Sequence, residues 1–189
     1  MSKFRKNEIE FIKYWQYQGI SRKDKYTPIV LDSNMQIPCC YLFRIYGEIH
    51  REICFLAKMG GIGKYFGYID NNNILFAGFG NNIIKYDLNT NELIKNVVDR
   101  EWIHNFFKLD DGYLLQQEMT VKYFDNNLNI LWENSDCVEI FANTHLAENY
   151  EIGKNYIAII DWCGYKHYYN KLGKFKEEKT KYDSYKSKI

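Results

Sequence analysis

The sequence predicts a mainly β protein made of antiparallel repeats, and three observations predict it. The chain of 189 residues is 46% hydrophobic and 17% aromatic, with 17 Tyr, 12 Phe and 4 Trp. Such rings suit pleated, half-buried surfaces. It holds 19 Asn and 12 Gly, many clustered where a chain would reverse, and residues of these types tolerate the positive φ of tight turns. Finally, one plan returns about every 40 residues: a polar turn, an apolar strand, then a second strand and hairpin.

The N-terminal segment reads differently. Asn7 is placed to cap a helix, with Glu10 three residues on, and Ile9, Ile12 and Trp15 repeat at helical spacing. Gly19 falls where a glycine stop would end that helix. Residues 1–27 are therefore expected to form a short helix and linker. Residues 20–40, with both prolines, Pro28 and Pro38, read as irregular. Tyr41–Tyr46 and Ile49–Phe55 flank Gly47-Glu48 as a hairpin.

The repeats follow. Asp70 to Asn73 leads into Ile74–Ala77, Asp111-Gly112 into Tyr113–Leu115, and Lys154-Asn155 into Tyr156–Ile160. Each is followed by a strand and turn: Lys85-Tyr86-Asp87, Tyr123-Phe124-Asp125, and Tyr168-Tyr169-Asn170. The apolar stretches Glu101–Phe107 and Cys137–Ala142 would complete four strands per unit. These strand–turn–strand units over residues 41–176 resemble the blades of the β-propeller superfamily. The resemblance implies a partial or half propeller, since closed propellers hold four to eight blades. The WD dipeptide of WD-repeat blades is absent. Residues 1–189 read as one domain, with a flexible basic tail over 177–189.

Charge is uneven. Residues 1–27 carry seven Lys/Arg and three Asp/Glu, residues 174–189 six Lys and three acids, and the whole chain 25 and 24. The middle, 28–173, therefore holds twelve basic and eighteen acidic groups, a balance of −6. An acidic body argues against nucleic acid and favours a basic protein partner. No run of 18 apolar residues is present, so no membrane helix is expected. The first ten residues are charged and unlike a signal peptide, and five scattered cysteines fit a reducing compartment, so the expected location is cytoplasmic.

Chemistry is sparse. No metal motif, phosphate loop or serine elbow occurs, so no cofactor and no metal are expected and the chain reads as not an enzyme. Cys163 and His167 are the one conceivable nucleophile–base pair, which would make a cysteine-dependent hydrolase. Partner contact is expected at acidic groups and Trp in and around the loops: Glu101, Trp102, Asp110, Asp111, Asp136, Glu139, Asp161 and Trp162. In general character the chain looks like a bacterial toxin-immunity protein, which implies occlusion of a basic toxin domain, such as a nuclease. A carbohydrate- or small-ligand-binding propeller fragment is the alternative.

Overall fold

The computed structural model describes residues 8–14, 28–32, 38–58, 66–109, 111–135, 150–161 and 165–179. They form four sheets of four strands each, and no helix occurs among them. The chain divides into two compact units, Met1–Trp102 and Ile103–Ile189, each holding two sheets.

In the first unit, sheet one contains β1 (Glu8–Tyr14), β2 (Ile29–Val30), β3 (Pro38–Tyr46) and β4 (Arg51–Lys58), in the order β1-β3-β4-β2. Sheet two is a meander of β5 (Phe66–Ile69), β6 (Ile74–Phe79), β7 (Asn82–Asp87) and β8 (Glu92–Val98). The second unit holds two more meanders. One is β9 (Asn105–Leu109), β10 (Gly112–Gln116), β11 (Val121–Asp125) and β12 (Ile130–Asn134). The other is β13 (Tyr150–Ile152), β14 (Ile157–Ile160), β15 (Tyr165–Asn170) and β16 (Gly173–Lys179).

The expected N-terminal helix is corrected to strand β1. It pairs antiparallel with β3, setting Ile9 opposite Ile45 and Phe11 opposite Phe43. The helical spacing of Ile9 and Ile12 competed with the two-residue spacing of Ile9 and Phe11, and the latter won. Both side chains pack on the core while Glu10 between them is exposed. The Phe11 ring lies 4.7 Å from that of Phe43. Asn7, Trp15 and Gly19 lie outside the described residues. The irregular stretch 20–40 contains β2, which pairs parallel with β4, and Pro38 opens β3. The hairpin read at 41–55 forms the two central strands of sheet one, with Gly47 at φ 133° in its turn. At the other end, residues 177–179 belong to β16 rather than to a tail.

The repeats share more than strand count. In three sheets the third and fourth strands slip register at the same place: Lys85/Tyr86, Tyr123/Phe124 and Tyr168/Tyr169. Each slip precedes the turn residue Asp87, Asp125 or Asn170 and leaves Ile94, Leu131 or Phe175 half-exposed on the fourth strand. The turn side chains brace the reversals. Asp125 Oδ1 accepts from the backbone N–H of Asn127 and of Asn129, both at 2.8 Å, and its Oδ2 accepts from the Asn129 amide at 2.9 Å. Asp125→Ala is expected to lower stability by about 1–2 kcal/mol, read as a shift in the thermal midpoint, since donors lose their acceptor.

Each unit has its own core. Tyr41, Phe43, Phe55, Phe79 and Tyr86 fill the first, and Phe107, Leu114, Val121, Tyr123, Ile159 and Tyr169 the second. On the other face of sheet one, Cys40, Leu42, Cys54 and Leu56 form a small buried cluster. Cys40 and Cys54 are joined as a disulfide, with Cα atoms 6.3 Å apart. The register places them diagonally across β3 and β4, which linear spacing alone did not reveal. Cys39 is fully buried on the face of the first core.

Candidate functional site: the loop after the fourth strand of sheet two

The loop Asp99–Trp102 leaves β8 and is built by its first residue. The Asp99 N–H donates to the Asn81 carbonyl at 2.8 Å, and the Asn81 side-chain amide donates to the Asp99 carbonyl at 2.9 Å. Asn81 sits in the β6–β7 turn, beside Gly80 at φ 59°. Asp99 Oδ1 also accepts the N–H of Arg100 at 2.7 Å. The loop is thus pinned to the neighbouring turn, and it presents Trp102 with 51% of its surface exposed. Val98, also exposed, precedes it, while Ile103 is buried directly after it. A large amphipathic ring held on a braced loop loses little freedom when a partner covers it.

The other expected contact residues fall elsewhere. Asp111, exposed in the β9–β10 turn, accepts from the Tyr123 hydroxyl at 2.7 Å and pairs with Lys171 at 2.8 Å. The Lys171 ammonium first, and the Tyr123 hydroxyl second, hold its carboxyl below the usual carboxylate range. The Lys171 carbonyl accepts from the Trp132 indole at 3.0 Å, and the Trp132 ring stacks between Tyr123 and Tyr169 at 5.8 and 6.0 Å. This group joins the two sheets of the second unit.

Asp161 is buried, at 6% exposure, in the β14–β15 turn. Its Oδ1 accepts the Tyr165 N–H and its Oδ2 contacts His167 Nε2, both at 2.8 Å. It lies at the end of its sheet opposite the Asp111–Lys171 contact, so these two acids do not form one site. Glu101 is half-buried beside Trp102. Asp110, Asp136, Glu139 and Trp162 lie outside the described residues, as does Cys163. Both His167 nitrogens face carboxylates, Nε2 toward Asp161 and Nδ1 toward Glu177 at 3.1 Å. Among the described residues no group of three or more His, Cys, Asp or Glu could hold a metal.

Sequence reading missed Asn81 and Asp99, which build the loop. Their signals were present as Gly80-Asn81-Asn82, a turn sequence, and as an acid at a strand exit.

No protein-family model and no curated protein sequence matches this chain. Solved structures do. A structure of BBS1N in complex with ARL6DN matches with a TM-score of 0.50 and 12% identity, over 76% of this chain and 50% of that one. BamB from Moraxella catarrhalis matches with 0.49 and 18%, over 88% and 55%. Hsv2 from Kluyvelomyces marxianus matches with 0.47 and 9%, over 72% and 46%. These neighbours are β-propeller proteins, and at a TM-score of 0.50 BBS1N shares with this chain a fold of propeller-like, four-stranded antiparallel sheets. This chain spans about half the length of the solved chains it matches.

Proposed function

We propose that this chain is a non-catalytic protein-binding module, and that its partner is a basic toxin domain which it neutralises by covering the active site. The observation that carries the reading is the half-exposed Trp102 on a loop whose first residue, Asp99, is held by two hydrogen bonds to Asn81. Trp is enriched among residues that dominate binding energy, and bracing lowers the ordering cost on association. The −6 balance of residues 28–173 supplies an attractive field for a basic partner. BBS1N, of the same fold, is held in a complex with ARL6DN, which supports protein recognition as a use of such sheets.

The test is to search the genes beside this one for a basic toxin domain, titrate it against this chain by calorimetry, and assay that toxin's activity; absence of any such neighbour counts against the toxin reading. A 1:1 complex that abolishes the activity is expected. Trp102→Ala is expected to weaken binding by about 30-fold, the equivalent of 2 kcal/mol, with an unchanged thermal midpoint. Unchanged affinity in that variant removes Trp102 as the anchor. No complex and no protection ends the toxin reading.

A further inference from the structure

The turn between β9 and β10 ends in the one Asp-Gly step of the sequence, Asp111-Gly112, and the sequence holds no Asn-Gly step. An Asp-Gly step is a chemically weak point of a chain, because glycine has no side chain to shield its main-chain nitrogen from the carboxyl before it. That nitrogen attacks the aspartyl Cγ. An N–Cγ bond forms, a Cγ–O bond breaks, and the oxygen leaves as water with the carboxyl proton and the amide proton. Water then opens the resulting five-membered ring at either carbonyl. Opening at the Asp111 main-chain carbonyl breaks its bond to the Gly112 nitrogen. The chain then runs through Cγ as isoaspartate, one methylene longer and of unchanged mass.

We propose that Asp111-Gly112 is a latent isomerisation site of this chain, and that Tyr123 and Lys171 hold it shut. Both carboxyl oxygens are engaged: Oδ1 accepts from the Tyr123 hydroxyl at 2.7 Å and Oδ2 from the Lys171 ammonium at 2.8 Å. To react, Cγ must turn toward the Gly112 nitrogen, which breaks these contacts, and one oxygen must carry a proton in order to leave as water. An adjacent ammonium favours the ionised carboxylate, from which no water can leave. Lys171 first, and Tyr123 second, hold the carboxyl below its ordinary value of 3.8, which acts in the same direction.

The Asp111 and Lys171 side chains are half-exposed, and an isolated exposed ion pair contributes little. This pair holds because both donors are fixed. The Lys171 carbonyl accepts the Trp132 indole N–H at 3.0 Å, and the Leu172 N–H donates to Asn170 Oδ1 at 2.8 Å, which braces the β15–β16 turn. Tyr123 is buried, with its ring stacked on Trp132. The attacking nitrogen is fixed as well. Gly112 stands opposite Leu109 on one side and Asp125 on the other. An added Cβ there would lie 2.2 Å from the Phe124 carbonyl oxygen, so the main chain has little room to swing. An extra methylene at this turn moves Gly112 out of register with Leu109 and carries the carboxylate away from Lys171. Isomerisation therefore opens a link between the two sheets of the second unit.

The experiment ages the intact chain at neutral pH and quantifies isoaspartate at position 111 by peptide mapping with electron-transfer fragmentation. The same chain unfolded in guanidinium chloride at the same pH and temperature is the reference. The folded chain is expected to isomerise at least about tenfold more slowly than the unfolded one. Lys171→Met is expected to raise the folded rate about tenfold and Tyr123→Phe about threefold, at a temperature below the thermal midpoint of each variant. Lys174→Met, on β16 and paired with Glu177 instead, is expected to keep the parental rate. A folded chain that isomerises as fast as the unfolded one overturns the proposal, and that comparison needs no variant. Slow isomerisation that survives both substitutions in folded chains also overturns it, since the ladder at Gly112 would then shut the site without Tyr123 or Lys171.

Discussion

Replacing Phe79 by alanine is expected to destabilise the first unit by about 4 kcal/mol, within the range for buried Phe truncation. Phe79 ends β6 and is fully buried. Its ring centroid lies 4.7 Å from Tyr41, 5.5 Å from Phe43 and 5.6 Å from Phe55. Three rings from β3 and β4 thus meet one ring from β6, and this contact joins sheet one to sheet two. The cavity would not collapse easily. Phe43 is braced behind by Phe11 on β1, and Phe55 by an edge contact with Tyr86 at 5.7 Å. A hole lined by rings on paired strands keeps most of its volume, and cost grows with residual volume. Against a typical total stability of about 5–15 kcal/mol, this loss is large. Urea denaturation followed by fluorescence is the measurement, with Phe79→Leu as the volume-sparing control at about 1.5 kcal/mol or less. A loss below about 1.5 kcal/mol for the alanine variant would show that the two sheets are held by something other than this ring cluster.

The same cluster shows what the sequence makes legible. In the meanders, a polar turn and an alternating or fully apolar strand lie side by side in the chain, so local text suffices. Asp70, Asp87 and Asp125 all brace turns that lie within the polar stretches read as reversals. Sheet one is different. Its strand order, β1-β3-β4-β2, departs from the sequential order of the three meanders, and β2 is only two residues long. The assignment of β1 depends on β3, more than twenty residues downstream, offering an edge of matched rings. Nothing in residues 8–14 alone distinguishes that from a helix face. The Cys40–Cys54 bond is hidden for a related reason, because it depends on the register of β3 against β4.

The candidate site was half legible. Trp102 and Glu101 were readable as contact chemistry because of residue type. What makes the loop rigid is a pair of main-chain and side-chain bonds between Asn81 and Asp99, residues that look like ordinary turn formers. The surroundings of Asp111 and Asp161, both expected as partner contacts, were not legible either: Asp111 is paired with Lys171 and Tyr123, and Asp161 is buried against His167. Pairing across 60 residues, as for Lys171 and Asp111, is set by the packing of sheets and not by local pattern.

Gly112→Ala is expected to cost about 3 kcal/mol, the upper part of the usual range for overpacking. A Cβ at this position would lie 2.2 Å from the Phe124 carbonyl oxygen and 2.8 Å from both Cζ and the hydroxyl oxygen of Tyr123. The first of these is backbone in the adjacent strand. Gly112 pairs with Asp125 on one side and Leu109 on the other, so β10 cannot retreat from β11 without disturbing a second ladder. Gly67→Ala is the internal control. Its Cβ would meet Ile9 Cδ1 at 3.1 Å, the end of a flexible side chain, and a loss under about 1 kcal/mol is expected. The clash at Gly112 also has a chemical signature. Tyr123 must move its hydroxyl, which donates to Asp111, and that bond is one of the two main reasons the Asp111 carboxyl titrates low. A carboxyl depressed in the folded chain adds stability above its unfolded value and loses it as pH falls through the folded one. In Gly112→Ala the Asp111 titration is therefore expected to move upward, toward the ordinary range, while Lys171 still holds it partly down. Carboxyl-carbon NMR titration reads this directly. A destabilised variant whose Asp111 titrates as in the parent would place the strain in the backbone ladder alone and leave Tyr123 where it stands.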